Sequence, residues 1–381
     1  MKLRTPLCDL LGVEYPVIQA GMGWDKHGTT TPPALVAAVS NAGGLGMVGG
    51  SPLQPELIRE RIRQIRALTD RSFGVDITWP RLSEAPSADP RQARDVIERE
   101  HPQHLAFVQQ LLGELGLAEG EPDQASWVKT PEGVRRQLDV ILEERVPILA
   151  IGLGDTAEVV PLARAVGTKV LALCGTPRQA LGHARNGVDA IIAQGYEAGG
   201  HTGRIANFPL IPQVVDAVRP LPVVVAGGIA DGRGLAAALA LGAVGVWCGT
   251  VFLVSQETAI HPDYRQQLVT GRSEDFVLDR YPSGKPSRHY RSAVIRAWEQ
   301  SGLEALEMPF QGVLNDELRV AAEAASRVGV MSVPGGQIAG LLGARDVRPA
   351  GDVLRDMVDQ AARILQEQAT RYVVPAEEPV R

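Results

Sequence analysis

Residues 194–203 read QGYEAGGHTG, and the rest of the chain is organised around this glycine-rich stretch with its single histidine. The stretch follows Val188–Ala193, a short apolar run between glycines that is typical of a buried strand. His201 therefore lies near the exit of a strand. The small residues around it would let a planar ligand approach the backbone, and its imidazole suits proton transfer near neutral pH. A turn with an incidental histidine remains the alternative at this point, because glycine-rich loops alone are weak signals.

Short apolar runs alternate with helical patterns along most of the chain, which predicts a parallel sheet with helical connections. Eight such runs predict a closed (β/α)8 TIM barrel, in the α/β class. The predicted strands are Val17–Ala20, Leu45–Val48, Phe73–Ile77, Pro147–Ile151, Lys169–Leu173, Val188–Ala193, Pro222–Ala226 and Val244–Cys248.

Two long interruptions follow predicted strands, at the rim where such barrels place their chemistry. Residues 80–130 form an insertion after the third strand, with one predicted helix over Arg91–Leu115. Residues 255–345 separate the eighth strand from the closing helix and are predicted to be a helical cap or lid, with helices at Tyr290–Gln300 and Asn315–Arg327. The predicted organisation is therefore a barrel over 1–254, this cap, a closing segment over 346–372 with its helix at Val353–Gln366, and a tail over 373–381.

The composition of the 381 residues is that of an ordinary globular protein, with 45% hydrophobic residues and a net charge of -6 without long like-charge runs. These values argue against nucleic acid as the main partner. No run approaches membrane-spanning length, and the first eleven residues lack the apolar centre of a signal peptide, so we predict a cytoplasmic protein without a membrane partner. Three widely spaced cysteines suggest neither a disulfide framework nor a metal site.

Glycines follow the last two predicted strands, in Gly227-Gly228 and in Gly249-Thr250. In this architecture the loops at these two places commonly bind phosphate, because free backbone amides and a helix N-terminus converge there. Tight turns in a crowded fold would also explain the glycines. A phosphate-bearing ligand is the interpretation we favour.

Small and polar residues near other strand ends could receive the flat part of such a ligand. Gly21 and Met22 follow the first strand, where a ring could lie against the backbone with Met22 as an apolar contact. Asp76, near the end of the third strand, and Gln194, at the end of the sixth, could hydrogen-bond the polar edge of a ring. Asp76 could equally cap a turn.

Together, EAGGH at 197–201, GGIADG at 227–232 and the Gly249-Thr250 pair resemble the nitronate monooxygenase (2-nitropropane dioxygenase) superfamily of FMN-dependent TIM barrels. The resemblance covers roughly Pro6 to Val254 and the final helix. It implies that FMN is the cofactor and that His201 is the catalytic base. The residues that match the family's FMN contacts are Gly21, Met22, Asp76, Gln194, Gly199, Gly200, Gly227, Gly228, Trp247, Cys248, Gly249 and Thr250.

The chain departs from many nitronate monooxygenases at two of these positions. They have proline before the first-strand methionine and asparagine at the end of the third strand, where this chain has Gly21 and Asp76. The FMN-dependent enoyl-acyl-carrier-protein reductases of the same superfamily also carry EAGGH and GGIADG, so they remain an alternative. A non-catalytic FMN carrier is another, although a carrier has no need of a base such as His201.

The resemblance implies oxidation of nitronates or nitroalkanes by O2 to a carbonyl compound and nitrite, with His201 removing the α-proton of a nitroalkane as general base. Lysine occurs only at positions 2, 26, 129, 169 and 285, so we expect backbone amides to stabilise the ring edge of the cofactor. The expected partners are a small-molecule substrate and O2. A homodimer is left open.

Overall fold

The computed structural model describes residues 3–23, 30–79, 90–118, 130–331, 333–343 and 347–372. Side chains at 90–91 and 368–372 lie outside this description, as do the end of the 80–130 insertion and the tail.

Eight parallel strands close into a barrel, which confirms the predicted (β/α)8 fold. In chain order the strands are β1 (Val17–Gln19), β2 (Leu45–Gly49), β3 (Phe73–Thr78), β4 (Ile148–Gly152), β5 (Lys169–Cys174), β6 (Ala190–Gln194), β7 (Gly200–His201), β8 (Val223–Ala226), β9 (Gly245–Cys248), β10 (Phe276–Asp279) and β11 (Ser287–Tyr290). The barrel order is β1-β2-β3-β4-β5-β6-β8-β9, and β9 pairs with β1 to close it. The other three strands form a separate sheet in the order β10-β11-β7.

Alternate residues of each barrel strand point to opposite faces, and both faces are buried. The inner set, including Ile18, Leu171 and Ile192, packs inside the barrel together with Leu7 and Leu11. The outer set packs against the surrounding helices. This alternation decides which strand-end side chains face the mouth of the barrel.

Prolines begin many of the helices, where their missing N–H costs no hydrogen bond. The helices are α1 (Pro6–Leu11), α2 (Pro33–Asn41), α3 (Pro55–Leu68), α4 (Pro90–Glu100), α5 (Pro102–Glu114), α6 (Pro131–Glu143), α7 (Val159–Val166), α8 (Pro177–Asn186), α9 (Asn207–Val218), α10 (Gly232–Ala240), α11 (Thr250–Leu253), α12 (Pro262–Thr270), α13 (Ala293–Ser301), α14 (Phe310–Ala324) and α15 (Ala350–Tyr372). Within the described residues, no helix is long and apolar enough to cross a bilayer.

The insertion after β3 corrects one prediction. The single helix expected over 91–115 is two helices, α4 and α5, because Pro102 begins a new helix after His101, whose backbone is not helical. Residues of α4 and α5 such as Ile97 and Leu111 pack with Trp298 and Leu314 of the cap in one apolar cluster. The insertion and the cap therefore support each other at the rim.

The sequence analysis predicts a helical cap, but the cap segment also contains two strands. The antiparallel hairpin of β10 and β11 follows α12. Helix α13 therefore begins only at Ala293, where the Ser292 hydroxyl accepts a hydrogen bond from the Ile295 amide. Helix α14 begins and ends earlier than predicted, and α15 begins at Ala350 and reaches Tyr372, well beyond the predicted ends.

Candidate active site

Four inward-facing residues form the base of the barrel mouth, which we call the mouth floor: Ala20, Asp76, Gln194 and Trp247. Ala20 and Trp247 belong to the inner cluster. The other two are assigned by alternation, since the neighbours of Asp76 on β3 and the residue before Gln194 on β6 pack outward. The mouth floor is thus apolar with two polar groups, which suits a flat heteroaromatic ring.

The loop after β1 is held by hydroxyl groups from its own later part and lies close to the end of β9. The Met22 carbonyl accepts hydrogen bonds from the hydroxyls of Thr30 and Thr31, at 2.6 and 3.0 Å. A Cβ added at Gly249 would lie 3.3 Å from the Met22 sulfur. The structure therefore brings Gly21 and Met22 together with Gly249, three of the residues that the sequence analysis assigned to one ligand.

Asp76 and Gly21 pack directly against each other. A Cβ at Gly21 would overlap the Asp76 Cβ and lie 3.0 Å from its Oδ2. This close approach explains why the chain has glycine at position 21. Burial raises the pKa of the Asp76 carboxyl well above its usual range.

The two glycines after β8 have different surroundings. Both have positive φ, 91° at Gly227 and 74° at Gly228. A Cβ at Gly227 would lie 2.8 Å from the Ala198 nitrogen, whereas at Gly228 the nearest described atom would be 3.4 Å away. The Gly227 carbonyl accepts a hydrogen bond from Asn207 Nδ2 at 2.6 Å. Gly227 is therefore needed for packing, and Gly228 is the position open to a ligand.

The N-terminus of α10 is not free to receive the predicted phosphate. Asp231 caps it by accepting a hydrogen bond from the Arg233 amide at 3.0 Å, and its carboxylate also pairs with the Arg233 side chain. A phosphate in this region would have to use the backbone around Gly228 and Gly249 instead.

Two further predicted contacts are engaged within the fold. The Thr250 hydroxyl accepts a hydrogen bond from the Gly336 amide of the cap at 3.0 Å. The Cys248 side chain packs outward with the helix-facing cluster, and burial raises the pKa of its thiol. Because its side chain points away from the mouth, Cys248 can offer a ligand only backbone atoms.

The EAGGH loop is held from two sides. The Glu197 carboxylate accepts hydrogen bonds from the Asn207 amide at the start of α9, at 3.1 Å to each oxygen. The Glu197 carbonyl accepts one from the Gln337 amide of the cap at 3.0 Å. Glu197 therefore fixes the loop and is not a candidate acid or base.

Gly199 and Gly200 serve different purposes. A Cβ at Gly199 would lie 2.5 Å from the Gly335 carbonyl carbon, so this glycine lets the cap backbone cross the loop. Gly200 has a φ of 70° and no described atom within 4 Å of an added Cβ. Gly199 thus contacts the cap, while Gly200 turns the chain into β7.

His201 lies in β7, directly opposite Ser287 of β11, in the three-stranded sheet that we call the cap sheet (β7, β10 and β11). Its Nε2 lies 2.8 Å from Ser283 Oγ, in the turn between β10 and β11. Burial, and then the positive charge of Lys285, lower the pKa of His201 to about 4. The imidazole is therefore neutral at neutral pH and able to accept a proton.

Arg288 links the cap sheet to the EAGGH loop and was missed in the sequence analysis. Its guanidinium is buried and donates to the Tyr196 carbonyl at 2.8 and 3.2 Å and to the Phe276 carbonyl at 2.6 Å. It also lies 4.4 Å from the centre of the Tyr196 ring. Sequence reasoning considered only lysines as cations, and an arginine beside a short strand carries no signal of burial.

Ser283 and Lys285 were also missed as site residues. The signal for them is the sequence PSGKP between the runs FVLD and SRHY, which is a hairpin pattern. Recognising it would have predicted β10 and β11 but not their pairing with β7. Among the described residues, no group of three His, Cys, Asp or Glu side chains could hold a metal ion.

Comparison with known proteins adds a family to this geometry. Residues 4–360 match the family model described as nitronate monooxygenase. A Mycobacterium tuberculosis protein with the provisional name monooxygenase is 37% identical over 376 residues, covering 94% of this chain and 96% of the relative.

Two solved structures are similar over almost the whole chain. Nitroalkane oxidase from Streptomyces ansochromogenes has a TM-score of 0.77 and 30% identity, over 95% of this chain and 99% of that one. FabK from Thermotoga maritima has a TM-score of 0.75 and 30% identity, over 97% and 100%. Both similarities include the cap as well as the barrel.

Proposed function

The chain belongs to the nitronate monooxygenase family, and from that membership we propose that it is an FMN-dependent oxidoreductase that oxidises alkyl nitronates with O2 to a carbonyl compound and nitrite. The observation that carries the proposal is a neutral, half-buried imidazole on the loop that leaves the barrel at Gln194, one of the mouth-floor residues. His201 lies in the cap sheet within reach of Ser283, and the mouth floor offers an apolar surface with two polar groups.

The residues around the mouth fit FMN. Gly228 and Gly249 offer backbone to the phosphate, and the mouth floor together with Met22 offers a surface to the ring. Met22 and Gly249 approach each other closely, so phosphate and ring sites adjoin. The flavin would supply the electron transfer between substrate and O2. A flavin in this family is supported by membership, and FMN in particular by the lack of a second nucleotide fingerprint in the sequence.

His201 would act as the general base when the substrate is a nitroalkane. A neutral imidazole accepts the proton from the carbon next to the nitro group, and a preformed nitronate does not need this step. Ser283 contacts Nε2 and holds the ring orientation. Burial and the positive charge of Lys285 both destabilise the protonated imidazole, which favours return of the proton to solvent.

Lys285 also bears on the substrate class. Its side chain is exposed, no ion pair joins it to a described carboxylate, and its charge is felt at His201. A cation at this place favours an anion beside the imidazole. The anionic nitronate is therefore the preferred substrate in our proposal, and the neutral nitroalkane the slower one.

FMN-dependent enoyl reduction with NAD(P)H is the second candidate, and the similarity to FabK over 97% of the chain is the observation that favours it. It would use the same flavin site and differ in the electron donor. A non-catalytic FMN carrier leaves the neutral imidazole of His201 without a purpose.

Anaerobic stopped-flow absorbance distinguishes these functions. We expect propionate 3-nitronate to reduce the bound flavin, O2 to reoxidise it rapidly, and NADH or NADPH to reduce it slowly. Fast reduction by NADH or NADPH, reoxidation by an enoyl thioester and no response to nitronates would establish the second candidate. No reduction by any of these compounds would favour the carrier.

A further inference from the structure

Asp76 is a carboxyl group without a partner in the mouth floor. It lies at the end of β3 and faces inward, against Gly21. The residues paired with it on the neighbouring strands are Gly49 and Ala150, which have no polar side chain. Among the described residues, no donor or cation contacts its carboxyl oxygens.

Among the described residues, no charged group on a neighbouring element pairs with the Asp76 carboxyl. The first carboxylate after β4 in the sequence is Asp155, which accepts hydrogen bonds from Asn186 Nδ2 at 2.7 Å and from the Ala157 amide at 3.1 Å. The described part of the loop after β1, up to residue 23, and the end of β2 contribute no charged side chain, and the thiols of Cys174 and Cys248 pack outward with the helices. Desolvation alone raises the pKa of Asp76.

An unpaired carboxylate in an apolar site is costly, and such a group takes up a proton instead. The protonated form has an O–H donor as well as acceptor capacity, whereas the ionised form can only accept. The two forms therefore make different hydrogen bonds to a ring with both carbonyl oxygens and an N–H.

We propose that Asp76 is a neutral carboxylic acid in the loaded enzyme and donates its O–H to an acceptor atom of the flavin ring. This inference rests on the flavin site of the proposed function. Asp76 thereby acts like the side-chain amide of an asparagine, and places no negative charge beside a ring that must accept electrons. The position determines how the ring is held and how readily it is reduced.

The test is Asp76→Asn, with flavin reduction as the readout and not turnover. The equilibrium constant for reduction of bound FMN is measured against a reference dye at pH 7, together with the Kd of FMN for the apoprotein. We expect both to change by less than about threefold, because asparagine replaces one neutral donor with another, whereas Asp76→Ala, which has no donor, should weaken FMN binding by about tenfold. Equal FMN Kd values for Asp76→Ala and wild type would overturn the inference.

Loss of an ionised carboxylate would give a different result. Removing a full charge about 5 Å from the ring, at an effective dielectric of about 20, would favour reduction by roughly a hundredfold or more. That shift would overturn the inference and leave the flavin assignment standing. A wild-type protein that cannot be loaded with FMN would overturn both.

Two further measurements keep the inference testable if Asp76→Asn folds poorly or if Asp76 has a partner outside the described residues. Burial also raises the pKa of Asp279 to about 7, so the measurement uses the Asp279→Asn holoenzyme. Its infrared spectrum at pH 7 should still contain the carbonyl band of a protonated carboxyl group that shifts on exchange into D2O; absence of this band overturns the inference. Lys26 lies in the segment outside the described residues, so Lys26→Met serves as the control. Suppose that Lys26→Met changes the equilibrium constant for flavin reduction by about a hundredfold and that adding Asp76→Asn to it restores the wild-type value. Asp76 is then ionised and paired with Lys26, and the inference is wrong.

Discussion

The mouth floor and the cap sheet are the two parts of the proposed site, and they are built in different ways. The mouth floor consists of the ends of barrel strands, each fixed by parallel neighbours on both sides. The cap sheet joins β7, which has two residues, to β11, which lies more than eighty positions later in the chain. In our proposal the mouth floor would bind the flavin by shape, and the cap sheet holds one imidazole in place.

This difference separates two tasks. Residues of the mouth floor and the glycine loops would determine flavin affinity, whereas residues of the cap sheet would determine proton transfer. Substitutions on one side should therefore leave the property of the other side almost unchanged.

The largest effect is expected from His201→Asn. Loss of the general base should lower kcat/KM for a neutral nitroalkane by about a hundredfold or more. The Kd of FMN should stay within about threefold, because the side chain belongs to the cap sheet. Steady-state oxygen consumption and flavin titration measure the two quantities. A parallel loss of FMN would show that His201 is part of the flavin site.

Gly228→Val tests the other side. A branched side chain at the open position after β8 should block the backbone from the phosphate and weaken FMN binding by about tenfold or more. Gly167→Val is the matched control, since Gly167 also has a positive φ, 83°, with no described atom within 4 Å of an added Cβ, but lies after α7 at the other end of the barrel. Equal effects of the two variants on the FMN Kd would mean that backbone strain is the cause.

Gly199→Ala tests the contact between the loop and the cap. The added methyl group would press on Gly335 and Gly336, and overpacking of this kind costs about 1–3 kcal/mol of the free energy of unfolding. Gly182→Ala, in helix α8 with open space around it, should be neutral or stabilising by up to about 1 kcal/mol. Denaturant titration of both variants measures the difference. If Gly199→Ala is as stable as wild type, the cap does not depend on this crossing.

The smallest effect is expected from Lys285→Met. Burial is the larger cause of the low pKa of His201, and Lys285 the second. Removing the positive charge should raise that pKa and move the acid limb of the nitroalkane profile to higher pH, while KM for an anionic nitronate rises several-fold. Unchanged values of both would remove Lys285 from the site.

The barrel could be predicted from the sequence because each strand is a short apolar run with glycine or proline at its ends. Asp76 and Gln194 could be placed by the same reasoning, since the carboxyl ends of parallel strands meet at one rim. The glycines were harder to interpret. Gly199 and Gly227 are explained by packing against Gly335 and Ala198, which a glycine-rich motif does not distinguish from ligand contact.

The pairing of β7 with β11 in the cap sheet could not be predicted from the sequence, and the reason is physical. Two residues of β7 carry no periodicity, and their pairing with Ser287 and Arg288 is a tertiary contact across a long separation. The break between α4 and α5 was predictable in principle, because Pro102 marks it. The environment of His201 depends on both the barrel and the cap, so neither segment alone indicates a lowered pKa.

The pH dependence of kcat/KM for a neutral nitroalkane tests the central claim most directly. Protonation of His201 removes the base, so activity should fall as pH drops through the pKa of the free enzyme. We predict a plateau that holds from neutral pH down to about pH 5, with the acid limb nearer 4 than the ordinary 6.5 of histidine, and no limb in His201→Asn. An acid limb at pH 6.5 or above, or an unchanged limb in His201→Asn, would contradict the assignment of His201 as a neutral base with a lowered pKa.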